Sequence, residues 1–439
     1  MATYFAHHLD HGQLTNHDRP LGFHWNVPGL AQDLGLCAPR KLEAAVSSVL
    51  AEAILGAESG MAVSYSRNRN FYANSQRYRG TAYTYVTVLS AIALLYHTGW
   101  IINRKVPPRH LGWQSSFVAT TRLMEAWYRI ATPITYVAGE IIFLKNAAGE
   151  LVDYVETRNT RRLRRDLAQC NACLSHLAIQ IPGAERRGQH IFIDRCYILP
   201  TPGNPLRRIF SRSSFSLHGR AYGWWQSIPK KARASLTING EPVAEADYRS
   251  LHASILYSQA GIPFSGDAYD IDGFERAEVK RCFNIAINAK TKAAAVAATA
   301  HHLGKSRHHC AQLVQAIQHR HKPIQHQFCS DAGVRLMRID SELILSALEG
   351  MQDAGDPALP IHDALIVPAR CALKARDLMV EAFERIVGRV SPCTVNIKQQ
   401  SVLQMGERHP GLGFGVCGAA QAAVPVAYDS QNRSSVSCD

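Results

Sequence analysis

The 439-residue chain lacks any uninterrupted apolar stretch of the roughly 20 residues that a bilayer-spanning helix requires. The apolar run Val86 to Tyr96 is broken by Thr87 and Ser90, so no membrane partner is expected. No basic-then-apolar leader opens the chain, which predicts a cytoplasmic protein. Its eleven cysteines are odd in number and scattered, and without a secretion signal they read as reduced thiols. The pair Cys170 and Cys173 has no second pair at zinc-finger spacing, which argues against a zinc module. The glycine-rich run from Gly406 to Gly415 lacks the Lys-Ser/Thr ending of a P-loop and reads as a plain loop. Acidic residues are in deficit, 35 Asp and Glu against 48 Lys and Arg, for a formal net charge of +13.

Such a balance points to polyanionic partners, with nucleic acid the default. The densest cationic cluster is Arg158, Arg161, Arg162, Arg164 and Arg165, on a helix-like segment from about Thr160 to Ile179. These side chains suit contacts to backbone phosphates.

Punctuation along the chain divides it into an N-terminal region 1–145, an Arg-rich helical segment 146–206, a main domain 207–408 and a disordered tail 409–439. Residues 1–36, rich in His, Gly and Pro, read as a loose arm. An alanine-rich helix is expected from Pro39 to Ala57 and a loop from Arg67 to Gly80. A helix from Tyr83 to His97, strands at Trp100 to Arg104 and Trp113 to Ala119, and the turn Pro107-Pro108 trace the outline of a winged helix, a DNA-binding module. A hairpin is expected over Glu140 to Lys145 and Leu151 to Glu156.

Two acidic clusters carry chemistry. Val-Ala-Glu-Ala-Asp-Tyr at 243–248 and Leu-Pro-Ile-His-Asp-Ala-Leu-Ile-Val at 359–367 each place an aspartate where an apolar, β-favouring run stops. Two such carboxylates on one sheet repel, and a divalent cation is the usual remedy. Between them Arg276, Lys280, Asn284 and Asn288 recur every four residues, one polar stripe on a helix that begins with two cations. Seven histidines between His301 and His326 crowd the following segment, which reads as a polar helical region.

The order Gly219-Arg220, Gln226-Ser227-Ile228-Pro229, Arg233, Ala246-Asp247-Tyr248, Arg276 with Lys280, and His362-Asp363 resembles the family A DNA polymerases and the phage-type single-subunit RNA polymerases over 207–408. The resemblance implies an α+β fold: a right-hand palm with short fingers, preceded by a mainly helical N-terminal region and an Arg-rich, thumb-like segment. It implies that Asp247 and Asp363, with the Tyr248 carbonyl, hold two magnesium ions, for which manganese can substitute. By the same resemblance Lys280 neutralises and protonates the leaving pyrophosphate and Arg276 holds the terminal phosphate. Arg220, Gln226, Arg233 and His362 would lie against the primer-template. No acidic constellation in the first 200 residues resembles a 3′–5′ exonuclease.

Three departures bear on substrate. His252, five residues after Asp247, stands where the DNA enzymes have a glutamate against the ribose 2′ position and the RNA enzymes a glycine; its bulk favours dNTPs. Asn284 and Asn288 replace the aromatic residues that stack on the incoming nucleotide. Ala364 replaces the Glu or Ser that would distinguish the two groups. The expected activity is magnesium-dependent, template-directed extension of a nucleic-acid 3′ end from nucleoside triphosphates. The alternatives are a ribonucleotide polymerase or primase, an untemplated tailing enzyme, and a catalytically idle DNA-binding protein of replication or regulation. No protein partner is indicated.

Overall fold

The computed structural model describes residues 18–73, 75–107, 114–203 and 205–399; the expected tail 409–439, the glycine-rich loop 406–415 and the first part of the arm lie outside them. The fold is α+β, and its buried apolar residues form two separate cores. One runs from Leu21 to Ile134, the other from Ile141 to Cys393.

In the first core, helix α1 (Glu43–Ser59) and helix α2 (Tyr85–His97) pack together beside a four-stranded sheet. Strand β1 (Arg19–Pro20) joins that sheet beside β2 (Val63–Tyr65), followed by β4 (Ser115–Ala119) and β3 (Ile101–Arg104) at the far edge. Gly60, at φ 69°, ends α1 in the left-handed conformation that glycine adopts most cheaply. The antiparallel hairpin predicted after α2 is present, but its inner strand pairs with β2, so it is the border of a larger sheet and not a projecting wing. The regular structure of the region is still mainly helical, with this sheet packed beside the helices. Residues 18–36 are not an arm: Leu21, Phe23, Trp25, Val27 and Leu30 are buried, and the alternation of apolar positions carries the segment into the core. The expected loop 67–80 contains the short helices Arg69–Ala73 and Gln76–Arg79.

Helix α3 (Arg158–Leu174) starts at a capping box formed by Thr157 and Thr160. It does not stand apart as a thumb. Leu163, Leu167, Cys170 and Leu174 recur at helical spacing and pack into the second core with residues 206–393. Buried Asn171 ties it there by accepting from Leu206 N at 2.7 Å and donating to Leu206 O at 2.9 Å. The hairpin expected over 140–156 is reduced to strand β5 (Ile142–Leu144) and one bridge between Lys145 and Leu151; β5 runs parallel to β6 (Leu206–Ser211), itself antiparallel to β7 (Ser214–Gly223).

A second sheet carries the acidic clusters. Its central strand β8 (Glu241–Tyr248) has β10 (Ala364–Pro368) on one side and β11 (Val395–Gln399) on the other, all antiparallel, and β9 (Leu359–Ile361) extends the sheet beyond β10. Alternation sends Ala244, Ala246 and Tyr248 to one face and Glu245 and Asp247 to the other. Helix α9 (Ala372–Ile386) covers the first face, where the Tyr248 hydroxyl donates to Met379 O at 2.5 Å. Helix α8 (Gly333–Asp353) packs against β9 and β10, α4 (Leu251–Gln259) and α5 (Arg276–Asn288) pack on α8, and α6 (Lys292–Leu303) and α7 (Arg307–Arg320) pack on α5. No helix among the described residues is long and apolar enough to cross a membrane.

The Asn171 clasp makes a stability prediction. Asn171→Ala strands a buried amide N–H and a carbonyl of β6 and should cost about 2–4 kcal/mol in urea unfolding. A cost within the ±0.5 kcal/mol typical of a surface change would mean that α3 is not held to this core.

Candidate active site

Register brings the two aspartates together. Asp247 pairs across the ladder with Ala364, the residue after Asp363, and Tyr248 N donates to the Asp363 carbonyl at 3.2 Å. Asp363 lies in the two-residue link between β9 and β10, where His362 adopts φ 50°. Asp247 is the last residue but one of its strand, and Ser250, at φ 53°, turns the chain into α4. Left-handed backbone at non-glycine residues on both sides of the acid pair marks two tight turns held by their surroundings.

Burial and then the charge of Asp247 raise the pKa of the Asp363 carboxyl, with the Arg220 guanidinium working the other way. The carboxyl of Asp247 is more open, and the Lys398 ammonium from β11 donates to it at 2.5 Å and to Glu245 at 3.1 Å. A cation therefore already sits on Asp247, whereas Asp363 has no ion pair among the described residues. Tyr248 can offer only its backbone, because its phenol is buried against α9.

Helix α5 has the predicted stripe. Val279, Cys282, Phe283, Ala286 and Ile287 are buried, while Arg276, Lys280, Asn284 and Asn288 are exposed. Arg276 Nε donates to Asp267 at 2.6 Å, and Lys280 has no carboxylate partner among the described residues. Tyr269 connects this stripe to the acids. Arg276 and Lys280 lie 5.4 and 5.9 Å from its ring centroid, and its phenol is pushed up to about 12 by burial, with the charges of Asp363 and Asp267 adding to the rise. Asn288 donates to Asn284 O at 2.7 Å and packs against Gly333, where a Cβ would collide with its amide.

His252 and Arg220 converge on a residue the sequence did not single out. Asp340, fully buried in α8, accepts from Arg220 Nε at 3.1 Å and from His252 Nε2 at 3.2 Å, and the Arg220 Nη2 also donates to it. Burial alone would raise its pKa, but the bonds to His252 and Arg220 hold it below the ordinary range. Arg220 is thus committed to an internal ion pair. His362 packs edge-on to the Tyr222 ring at 6.1 Å, and burial followed by the Arg220 charge depresses its pKa to about 4, so its imidazole is neutral. Gln226 acts within the fold: its amide donates to Ala221 O and Pro360 O, at 3.1 and 3.0 Å, steadying the strand before His362. Arg233 lies close enough to lower the His362 pKa further.

The arginine cluster of α3 divides. Arg164 is tied to Glu140 and Glu156 and to the Tyr154 hydroxyl, and both Arg162 and Arg165 pair with Asp166. Arg161 is exposed with no ion pair among the described residues. Arg164 is therefore a structural cation, because it has two carboxylates to neutralise. The histidine-rich segment gathers no group of three metal-ligating side chains among the described residues.

Asp340, Lys398, Glu245 and Tyr269 were missed. Asp340 had a signal, since it is a charged residue within the apolar stripe Leu336, Leu343, Ile344 and Ala347. Lys398 had none, because only strand pairing brings it across 151 residues to Asp247.

No family model and no curated protein match this chain. Among solved structures it is similar to the POL domain of Pol1 from M. smegmatis, in complex with DNA primer-template and dNTP. The TM-score is 0.31 and the identity 13%, over 44% of this chain and 47% of that one. The chain spans about half of that relative's length, and its own residues carry the case for its chemistry.

Two outcomes follow from the electrostatics. Asp340→Ala leaves buried Arg220 without its counter-charge and should destabilise by about 3–5 kcal/mol, whereas Asp340→Asn should cost less. Asp363→Asn removes a half-buried charge that its neighbour repels. In the presence of a chelator it should raise the thermal midpoint by about 2 °C or more, and a lowered midpoint would count against the repulsion.

Proposed function

We propose that the chain is a nucleotidyltransferase that extends a nucleic-acid 3′ end from nucleoside triphosphates, releasing pyrophosphate on a DNA primer-template. The observation that carries this is that the β8–β10 pairing sets Asp247 beside Asp363 in the link before β10, with the cationic stripe of α5 against the ring of Tyr269, whose phenol feels the charge of Asp363.

The donor set fits magnesium or manganese: two carboxylates that repel each other, one of them half-buried and without an ion pair among the described residues. Asp247 and Asp363, with the Tyr248 carbonyl, would hold the ions, which when bound lower the pKa of an attacking hydroxyl and offset charge on the phosphates. The chain's own residues do the rest. Lys280, exposed and without a carboxylate partner among the described residues, offsets the negative charge that grows on the leaving pyrophosphate and can donate a proton to it. Arg276 reaches the same phosphate chain from one turn away on exchanging Asp267 for the substrate. Arg161, exposed on α3, remains available to a backbone phosphate.

His252 supports a preference for dNTPs. It stands in the first turn after the Asp247 strand, and Asp340 holds its ring in place, so its bulk stays beside the nucleotide. With exposed asparagines at 284 and 288 no ring stacks on the base from α5, which supports weak nucleotide binding.

Primer extension with the purified chain tests the proposal. Asp247→Ala and Asp363→Ala should each lower magnesium-dependent incorporation by about 10³-fold or more, and Lys280→Ala by about 10²-fold. His252→Gly should bring rNTP use towards dNTP use. Tight duplex binding with no incorporation by the unaltered chain would replace the enzyme with a DNA-binding protein, and incorporation on a lone single strand would indicate tailing.

A further inference from the structure

The N-terminal region encloses a second cavity, of about 790 Å³, whose wall includes Phe23, His24, Cys37, Arg77, Arg79 and Tyr83. Arg79 is the anomaly in it. The residue is only 7% exposed, yet no carboxylate lies within 4.0 Å of it among the described residues. Its Nη2 donates to Phe71 O at 2.5 Å, while its Nε is buried with no hydrogen-bond partner. The guanidinium lies over three rings, Phe71 at 4.5 Å, Tyr72 at 5.1 Å and Phe23 at 5.8 Å.

Arg77, two residues earlier on the same short helix, forms the contrast, since it is bound by Glu140 and Glu156. Ring contacts offset part of the cost of burying a guanidinium, but leaving its donors unpaired costs several kcal/mol more. A buried cation that faces a cavity, that feels the Asp153 carboxylate only at a distance and that has no ion pair among the described residues is arranged for an anion from outside.

The surroundings say which anion. Of the basic residues in the wall, Arg77 is held by Glu140 and Glu156, and burial followed by the charge of Arg207 lowers the pKa of His24, so Arg79 is the cation left to meet one anionic group of a ligand. Glu43, at the exposed rim, is the acidic residue that lines the cavity. The remaining wall mixes apolar and aromatic residues with Asn26, Gln32, Ser47 and Thr135, and its Phe23 and Tyr83 rings lie 4.9 Å apart.

We propose that this cavity binds a nucleoside phosphate, its phosphate on Arg79 and its base against the apolar part of the wall. The ligand can be a free nucleotide or the phosphorylated 5′ end of a strand. The site is separate from the acid pair and does not rest on the polymerase proposal.

Cys37 supplies the readout, being an exposed thiol on the cavity wall. Its alkylation rate, followed peptide by peptide in the full chain carrying Asp363→Ala, should fall at least tenfold in saturating dAMP and not in deoxyadenosine. Arg79→Gln should abolish the protection. Should that variant not fold, Gln32→Glu on the exposed rim should weaken it several-fold at low salt. Protection by dAMP alone assigns a free nucleotide; protection by a short 5′-phosphorylated oligonucleotide, and not by its 5′-hydroxyl counterpart, assigns a strand end. Equal protection by deoxyadenosine and dAMP, no protection by any phosphate, or full protection in folded Arg79→Gln overturns the proposal.

Discussion

Two carboxylates side by side repel, and the antiparallel pairing of β8 with β10 forces that position on Asp247 and Asp363. Much of the surrounding structure offsets this repulsion. Lys398 arrives on β11 to neutralise Asp247, while Arg220 lowers the charge cost at Asp363 from the far side. Neither cation pairs directly with Asp363 among the described residues, so the repulsion is only partly offset there. A site that is electrostatically incomplete costs stability, and the β8–β10 ladder and the buried face under α9 supply what holds it.

Asp340 connects the parts of the site that come from distant sequence. From the middle of α8 it holds Arg220 on β7 and His252 on α4, so three elements share one buried carboxylate. Arg208 joins the same helix lower down, donating to Glu342 at 2.8 Å and to Ser341. Polar groups inside a core specify geometry only when all partners are present. Movement of α8 would therefore be felt at once by His252 and by Arg220.

The α5 stripe was legible because a period of four needs only helix geometry, and the buried set Val279, Cys282, Phe283, Ala286 and Ile287 enforces it. Local signals also announced α1, α2 and the strands that follow α2. Residues 18–36 were misread because their composition is loop-like; burial of Leu21, Phe23, Trp25 and Val27 depends on surfaces supplied by α1. The arginine cluster of α3 was read as a phosphate surface because its acidic partners at Glu140 and Glu156 precede the helix and meet it only through folding.

The sequence by itself determined which residues could do chemistry. Charged side chains that end apolar runs are confined to sheet ends, and side chains four apart on a helix share a face. It could not determine which charges would cancel. Ion pairing acts over a few ångströms, whereas Lys398 and Asp247, or Asp340 and Arg220, are separated by more than a hundred residues. Tertiary structure alone decided that Arg220 and Arg164 would be spent on internal carboxylates and that Lys280 would be left free of any among the described residues.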